Sequence, residues 1–128
     1  MARIRVHSGS PYEEQYGFSR GIRVGNRVEI AGTAPIPVPG DEISDSAYDQ
    51  MRRCGAIAAA ALRDLGATTD HVIRTVMYIT DPADADEIGR AHGELFGAAS
   101  PVATMVVVKS LLDPAWKVEI EVTAVVGE

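Results

Sequence analysis

The chain is poor in the patterns that most often announce a chemistry. It has one cysteine, Cys54, which excludes an internal disulfide and a cysteine-cluster metal site. Basic residues are few: 12 Lys and Arg stand against 18 Asp and Glu, for a net charge of −6 and a pI near 5.0. Nucleic-acid binding is driven by clustered cations that displace counterions, so no nucleic-acid partner is expected. No apolar run approaches the roughly 20 residues of a membrane helix; the longest is Ala56–Leu62. The basic start Met1-Ala2-Arg3-Ile4-Arg5 leads into no apolar stretch, so neither a secretory leader nor a membrane partner is expected, and a cytoplasmic location is. Gly-x-Gly-x-x-Gly after a strand, a Walker-type loop and Gly-x-Ser-x-Gly are all missing, so no cofactor is signalled. His7, His71 and His92 are isolated from one another and from Cys54, and no metal site is expected.

What is present is the patterning of one small globular domain over residues 1–128, with 46% hydrophobic and 23% charged residues. Arg20–Val24 and Arg27–Ala31 alternate polar with apolar around Gly25-Asn26, which predicts a hairpin. A short strand at Ile4–Val6 can precede it. Pro35, Pro37, Pro39 and Gly40-Asp41 make a loop that is neither helix nor central strand. From Ser44 to Leu65 the period changes: Tyr48, Met51, Cys54, Ala58, Leu62 and Leu65 recur every three or four residues. That predicts an amphipathic helix capped by Ser44 or Asp45 and closed by Gly66 at C′. Val72–Thr80 reads as a buried strand. Asp81 then caps and Pro82 starts a helix over 83–96, with Ile88, Ala91, Leu95 and Phe96 on one face and Gly97 closing it. Val102–Val108 reads as a second buried strand, and after Asp113-Pro114 the run Val118–Ala124 alternates strongly. The order β-β-α-β-α-β-β, with a possible extra strand in front, predicts an α+β two-layer sandwich: one mixed β-sheet with two helices on one face. The other face would be open. Val106-Val107-Val108, apolar on both sides of its strand, suggests that a neighbouring subunit covers that face.

Glu119 and Glu121 stand two apart on the last strand, so they share a face while Val118, Ile120 and Val122 share the other. They are either a solvated face paired with Arg or Lys across the sheet, or general acid–base groups at a raised pKa. Arg20, Arg23, Arg90 and His92 are candidate anion ligands. Cys54 lies on the helix's apolar stripe and reads as an inert packed thiol. Trp116, just before the last strand, reads as an edge plug or a subunit contact.

Phe18-Ser19-Arg20-Gly21, Gly25-Asn26 and Ile30-Ala31-Gly32-Thr33 resemble the first hairpin of the RidA/YjgF family. The resemblance continues through Leu65-Gly66, the strand ending at Asp81, Phe96, Pro101 and Val118-Glu119-Ile120-Glu121-Val122, roughly residues 16–126. It implies a chorismate-mutase-like protomer in a homotrimer, with sheets facing inward and small-molecule clefts between subunits. It also implies imine/enamine deaminase chemistry without a cofactor, on substrates such as 2-aminoacrylate, with keto-acid products. A non-catalytic metabolite-binding trimer is the second reading. The ribonuclease or translation-inhibitor label of the family fits an acidic chain poorly. Residue by residue, the family's late glutamate falls on Glu119, the implied catalytic group. Its tyrosine slot falls on Phe18, with Tyr16 two residues away, and its Ser-Gly pair on Ala31-Gly32, followed by Thr33. Its Pro-Ala-Arg falls on Pro101-Val102-Ala103, so the arginine that binds the substrate carboxylate is missing and Ala103 stands there, followed by Thr104. This marks a divergent branch in which Arg20 or Arg90 would have to supply the lost contact.

Overall fold

The computed structural model of the chain describes residues 1–127. Six strands form one sheet: β1 (Arg3–Val6), β2 (Gly21–Val24), β3 (Arg27–Thr33), β4 (Val72–Ile79), β5 (Val102–Val107) and β6 (Val118–Val125). Their spatial order is β1-β2-β3-β6-β4-β5, antiparallel throughout except for the parallel pair β4–β5. Three helices accompany them: α1 (Pro11–Tyr16), α2 (Ala47–Asp64) and α3 (Ala85–Phe96). The parallel pair needs a crossover, and α3 supplies it. This is the α+β, mixed-sheet architecture that the alternation of periods implies.

The core lies between α2, α3 and one face of the sheet. Val28 and Ile30 of β3, Met77 and Ile79 of β4 and Val118, Ile120 and Val122 of β6 are buried against Met51, Cys54, Ala58 and Leu62 of α2 and Ile88, Ala91 and Phe96 of α3. The two helices meet at Gly55, where a Cβ would come 2.4 Å from Leu95 Cδ1. Cys54 is fully buried, burial pushes its thiol pKa up, and its Sγ reaches the Val118 carbonyl at 3.8 Å. The thiol is an apolar packing group, as the helical stripe implies.

Four local expectations need correction. The cap of α2 is Ser46, whose side chain accepts from the Asp49 amide at 3.1 Å. Ser44 is engaged instead with the Asp49 carboxylate and the Ser46 amide. Asp81 and Pro82 open a 3-10 turn, Pro82–Asp84, and α3 follows at Ala85. Val102–Val108 is not a buried strand: β5 is the sheet edge, ends at Val107, and leaves Val102 63% and Val107 55% exposed in the single chain. Its apolar composition belongs to an exposed edge rather than a central position. Trp116 is no edge plug; it is buried within the chain, edge-on to Tyr12 with ring centroids 5.8 Å apart. The helix α1 was not anticipated at all.

Candidate functional site

Along β6 the side chains of Val118, Ile120 and Val122 turn into the core, and Glu119, Glu121 and Thr123 turn to the opposite face. Register places Tyr78 beside Glu119 and Val76 beside Glu121 on β4. The Tyr78 hydroxyl donates a short hydrogen bond to Glu121 Oε1, and that bond raises the phenol's pKa, with burial and the charges of Glu121 and Glu119 adding to it. Glu119 is left half-buried, with no hydrogen-bond partner among the described residues. Burial raises its pKa and Glu121's charge adds to the rise, while Arg20 pulls the other way. An unpartnered carboxyl with an elevated pKa is suited to moving protons.

The backbone makes room for it. β3 and β6 lose register between Ile30 and Thr33, where three steps on β3 span two on β6, a β-bulge. Gly32 sits in that bulge, and a Cβ there would lie 2.6 Å from Glu119 Oε2. A larger side chain at position 32 would displace the Glu119 carboxylate from the place it occupies. Bulges recur beside functional sites because they re-aim a side chain.

Arg20, just before β2, closes the site from below. Its Nη1 donates to the Gly32 carbonyl at 2.5 Å and to Thr33 Oγ1 at 3.1 Å; its Nε donates to Glu13 Oε2 at 3.2 Å and Ser8 Oγ at 3.3 Å. Both members of the Arg20–Glu13 pair are buried. Burial pushes the Glu13 carboxyl up, but the Ser8 hydroxyl and amide and the Arg20 charge outweigh it, and its pKa is lowered. The guanidinium also lies 5.4 Å from the Phe18 ring centroid. Thr33, fully buried, takes the Arg20 bond and donates to the Ala31 carbonyl at 2.7 Å. Arg20 is thus a structural clamp on the bulge as well as a lining residue.

Above Glu119 opens a small pocket of about 80 Å³, walled by Tyr12 and Tyr16 of α1, Phe18, Leu112 and Trp116, with Arg20, Gly32 and Glu119 at its base. A wider groove of about 470 Å³ adjoins it through Phe18 and Gly32 and runs over Glu121, Glu29 and Arg5. Phe18, Arg20, Gly32, Thr33 and Glu119 are therefore brought together. Arg90, Ala103 and Thr104 are not. Arg90 sits on α3, its guanidinium 4.0 Å from the Tyr48 ring centroid and 3.8 Å from Glu94, on the helix side of the sheet. It cannot replace an anion contact beside Glu119 within one chain, because the sheet intervenes. Ala103 and Thr104 are exposed on edge strand β5; register puts Thr104 with Val76 on the open face and Ala103 with Thr75 on the helix side. Within one chain β4 separates both from Glu119 on β6. Arg23 is used at home, bonding the carbonyls of Gly25 and Leu65. His92 faces Thr75 Oγ1 at 2.7 Å on the helix side, and burial lowers its pKa. His7 meets Glu13, and His71 completes a capping box with Thr68. Among the described residues no three His, Cys, Asp or Glu side chains gather as for a metal ion. Reasoning from sequence missed Tyr12, Glu13 and Trp116 as parts of the site; Ser10-Pro11-x-Glu13, a helix-start signature, was the available signal for the first two.

A mixed six-stranded sheet under two helices, with a glutamate facing a bulge glycine on the open face, defines a class of small α+β proteins. The family model for Endoribonuclease L-PSP matches residues 10–126, and the chain belongs to this family, also known as RidA/YjgF. The crystal structure of Rv2704 from Mycobacterium tuberculosis, a member of the YjgF/YER057c/UK114 family, superposes with a TM-score of 0.89. It is 38% identical over 98% of this chain and all of its own. The protein SCO2049 of Streptomyces coelicolor is also 38% identical, over 96% of this chain and 92% of its length. Reactive Intermediate Deaminase A of Arabidopsis thaliana chloroplasts is 30% identical, over 84% of this chain and 57% of its own. Among the described residues no helix is long and apolar enough to cross a membrane.

Proposed function

We propose that the chain hydrolyses small imines or enamines, with Glu119 as the proton-transferring group, in clefts shared between the copies of a homotrimer. The observation that carries this reading is the half-buried, unpartnered Glu119 carboxyl, held against Gly32 at the foot of an aromatic pocket. The name of the Arabidopsis relative, a reactive-intermediate deaminase, supports it. In the proposed reaction Glu119 takes a proton from water as the water oxygen bonds to the imine carbon. The C=N π pair moves to nitrogen, which takes up a proton from solvent, giving a carbinolamine. Glu119 then returns its proton to that nitrogen. The hydroxyl oxygen's lone pair forms the carbonyl as the C–N pair leaves with ammonia, and the hydroxyl proton is released. Overall, imine and water become carbonyl compound and ammonia.

The trimer is supported by the open sheet face. Val102, Val106 and Ile73 are 63%, 38% and 47% exposed, an apolar edge that one chain leaves uncovered. It is supported too by the resemblance, which puts the family's arginine position at Ala103, on a strand separated from β6 by β4 within one chain. A binding trimer without turnover is favoured by one observation: that position carries no guanidinium. The acidic net charge of −6 speaks against ribonuclease action. The test joins mass measurement in solution with kinetics on imines generated in place. A trimer whose imine hydrolysis is lost in Glu119→Gln is expected. A stable monomer at micromolar concentration overturns the assembly, and unchanged turnover in Glu119→Gln overturns the role of the carboxyl.

A further inference from the structure

Four of the chain's seven aromatic side chains, Tyr12, Tyr16, Phe18 and Trp116, wall the small pocket above Glu119. Tyr12 and Tyr16 stack at 6.1 Å and Tyr12 meets Trp116 edge-on at 5.8 Å, so these three rings form one continuous aromatic surface. Aromatic faces carry negative electrostatic potential and attract cations, organic ammonium groups among them. The charged lining of the pocket points the same way. Its cation, Arg20, is matched by buried Glu13, fixed to Gly32 and Thr33, and already covers Phe18. The charge left without a partner is that of Glu119.

We infer that this pocket receives the cationic end of an organic amine or imine that bears no carboxylate, held between the aromatic wall and Glu119. The inference rests on the reading of the Glu119 pocket as the ligand site, and it narrows the substrate class. A protonated imine is the more electrophilic form, and its N–H groups would bond the Glu119 carboxylate directly. A carboxylate in the same place would face Glu119, and of this lining only Nη2 of the Glu13-paired Arg20 would remain to offset the repulsion.

Three probes of one shape separate the charge states: isobutyramidinium, a planar cation that mimics a protonated imine, neutral isobutyramide, and anionic isobutyrate. Titration calorimetry on the full chain at neutral pH is expected to show the amidinium bound at least about tenfold more tightly than the amide, with isobutyrate weakest. In Glu119→Gln the preference for the cation should shrink to within about threefold. Tyr16→Ala removes a ring that is 62% exposed, so the fold should persist while the amidinium weakens more than the amide. Tightest binding by isobutyrate, no measurable amidinium binding at millimolar concentration, or a cation preference unchanged in Glu119→Gln would each overturn the inference. Amidinium preference without any imine hydrolysis would retain it and remove the deaminase reading. Hydrolysis of carboxylate-bearing imines without amidinium binding would do the reverse.

Discussion

Glu119 and Glu13 both feel the charge of Arg20 but titrate in opposite senses, which gives each a distinct signature in the stability of the fold. Burial raises the folded pKa of Glu119, so the folded chain holds that proton more tightly than the unfolded chain. Its contribution therefore improves as pH falls through the raised value and is unfavourable at neutrality. Glu119→Gln should raise Tm at pH 7, and the gain should fade as pH falls from there to 4 and the wild-type side chain itself takes up a proton. Thermal melts over that range check this; a lower Tm at pH 7 would mark the residue as a structural group. Glu13 has the other sign. Its folded pKa is lowered despite burial, so its stabilisation is complete above the ordinary carboxylate range and is lost as pH falls through the folded value. Glu13→Gln leaves the Arg20 guanidinium buried without its counter-charge and should cost on the order of 3 kcal/mol at pH 7 by denaturant unfolding, with the deficit fading in acid. Arg20 cannot relax toward water without releasing the Gly32 carbonyl, so the same variant should also disturb the bulge.

At the scale of elements, the tightest constraint is the crossing of α2 and α3. Gly55 is placed so that a methyl group would meet Leu95 Cδ1 at 2.4 Å and Cδ2 at 2.8 Å. Alanine is the better helix former by about 1 kcal/mol, but Leu95, partly buried against the core, would have to move aside. Gly55→Ala is therefore expected to cost about 1–2 kcal/mol net, read as a fall in the urea midpoint. These helices and the central strands were legible because their apolar residues repeat at 3.6 or 2, and that period survives any tertiary context. β5 was misread because an apolar strand looks alike in the middle of a sheet and at an exposed edge. α1 was missed because six residues, Pro11–Tyr16, are too few to show a period. Its Ser10 cap and Pro11 start were its trace in the sequence. The site was half legible. The face of Glu119 follows from alternation, whereas the Gly32 bulge and the Glu13–Arg20 pair join residues whose meeting depends on strand register.

At the scale of the whole molecule, the decisive fact is where the guanidinium groups are not. On the proposed reading Ala103 stands where the family's arginine would hold a substrate carboxylate, and it lies on β5, the far edge strand from Arg20. Arg20 has Nε and Nη1 committed to Glu13, Ser8, Gly32 and Thr33, and Arg90 lies over Tyr48 behind the sheet. Neither arrangement restores a bidentate grip on an anion beside Glu119 within a chain. Charge-assisted contacts to a carboxylate are worth about 1.5–3 kcal/mol each. At about 1.4 kcal/mol per tenfold, losing one such contact lowers kcat/KM by roughly ten- to a hundredfold, and losing a bidentate pair by about a hundredfold or more. Hydrolysis of 2-aminoacrylate, generated from serine by a dehydratase and followed by keto-acid appearance, should accordingly be absent or far weaker than with an arginine-bearing relative. Ala103→Arg should recover part of the rate if the cleft between copies brings β5 of one chain to Glu119 of the next. Wild-type acceleration equal to that of the relative would mean that another residue anchors the carboxylate. Arg20, the cation lining the small pocket, would then be the group to test, by Arg20→Lys, which keeps the charge and loses the fork.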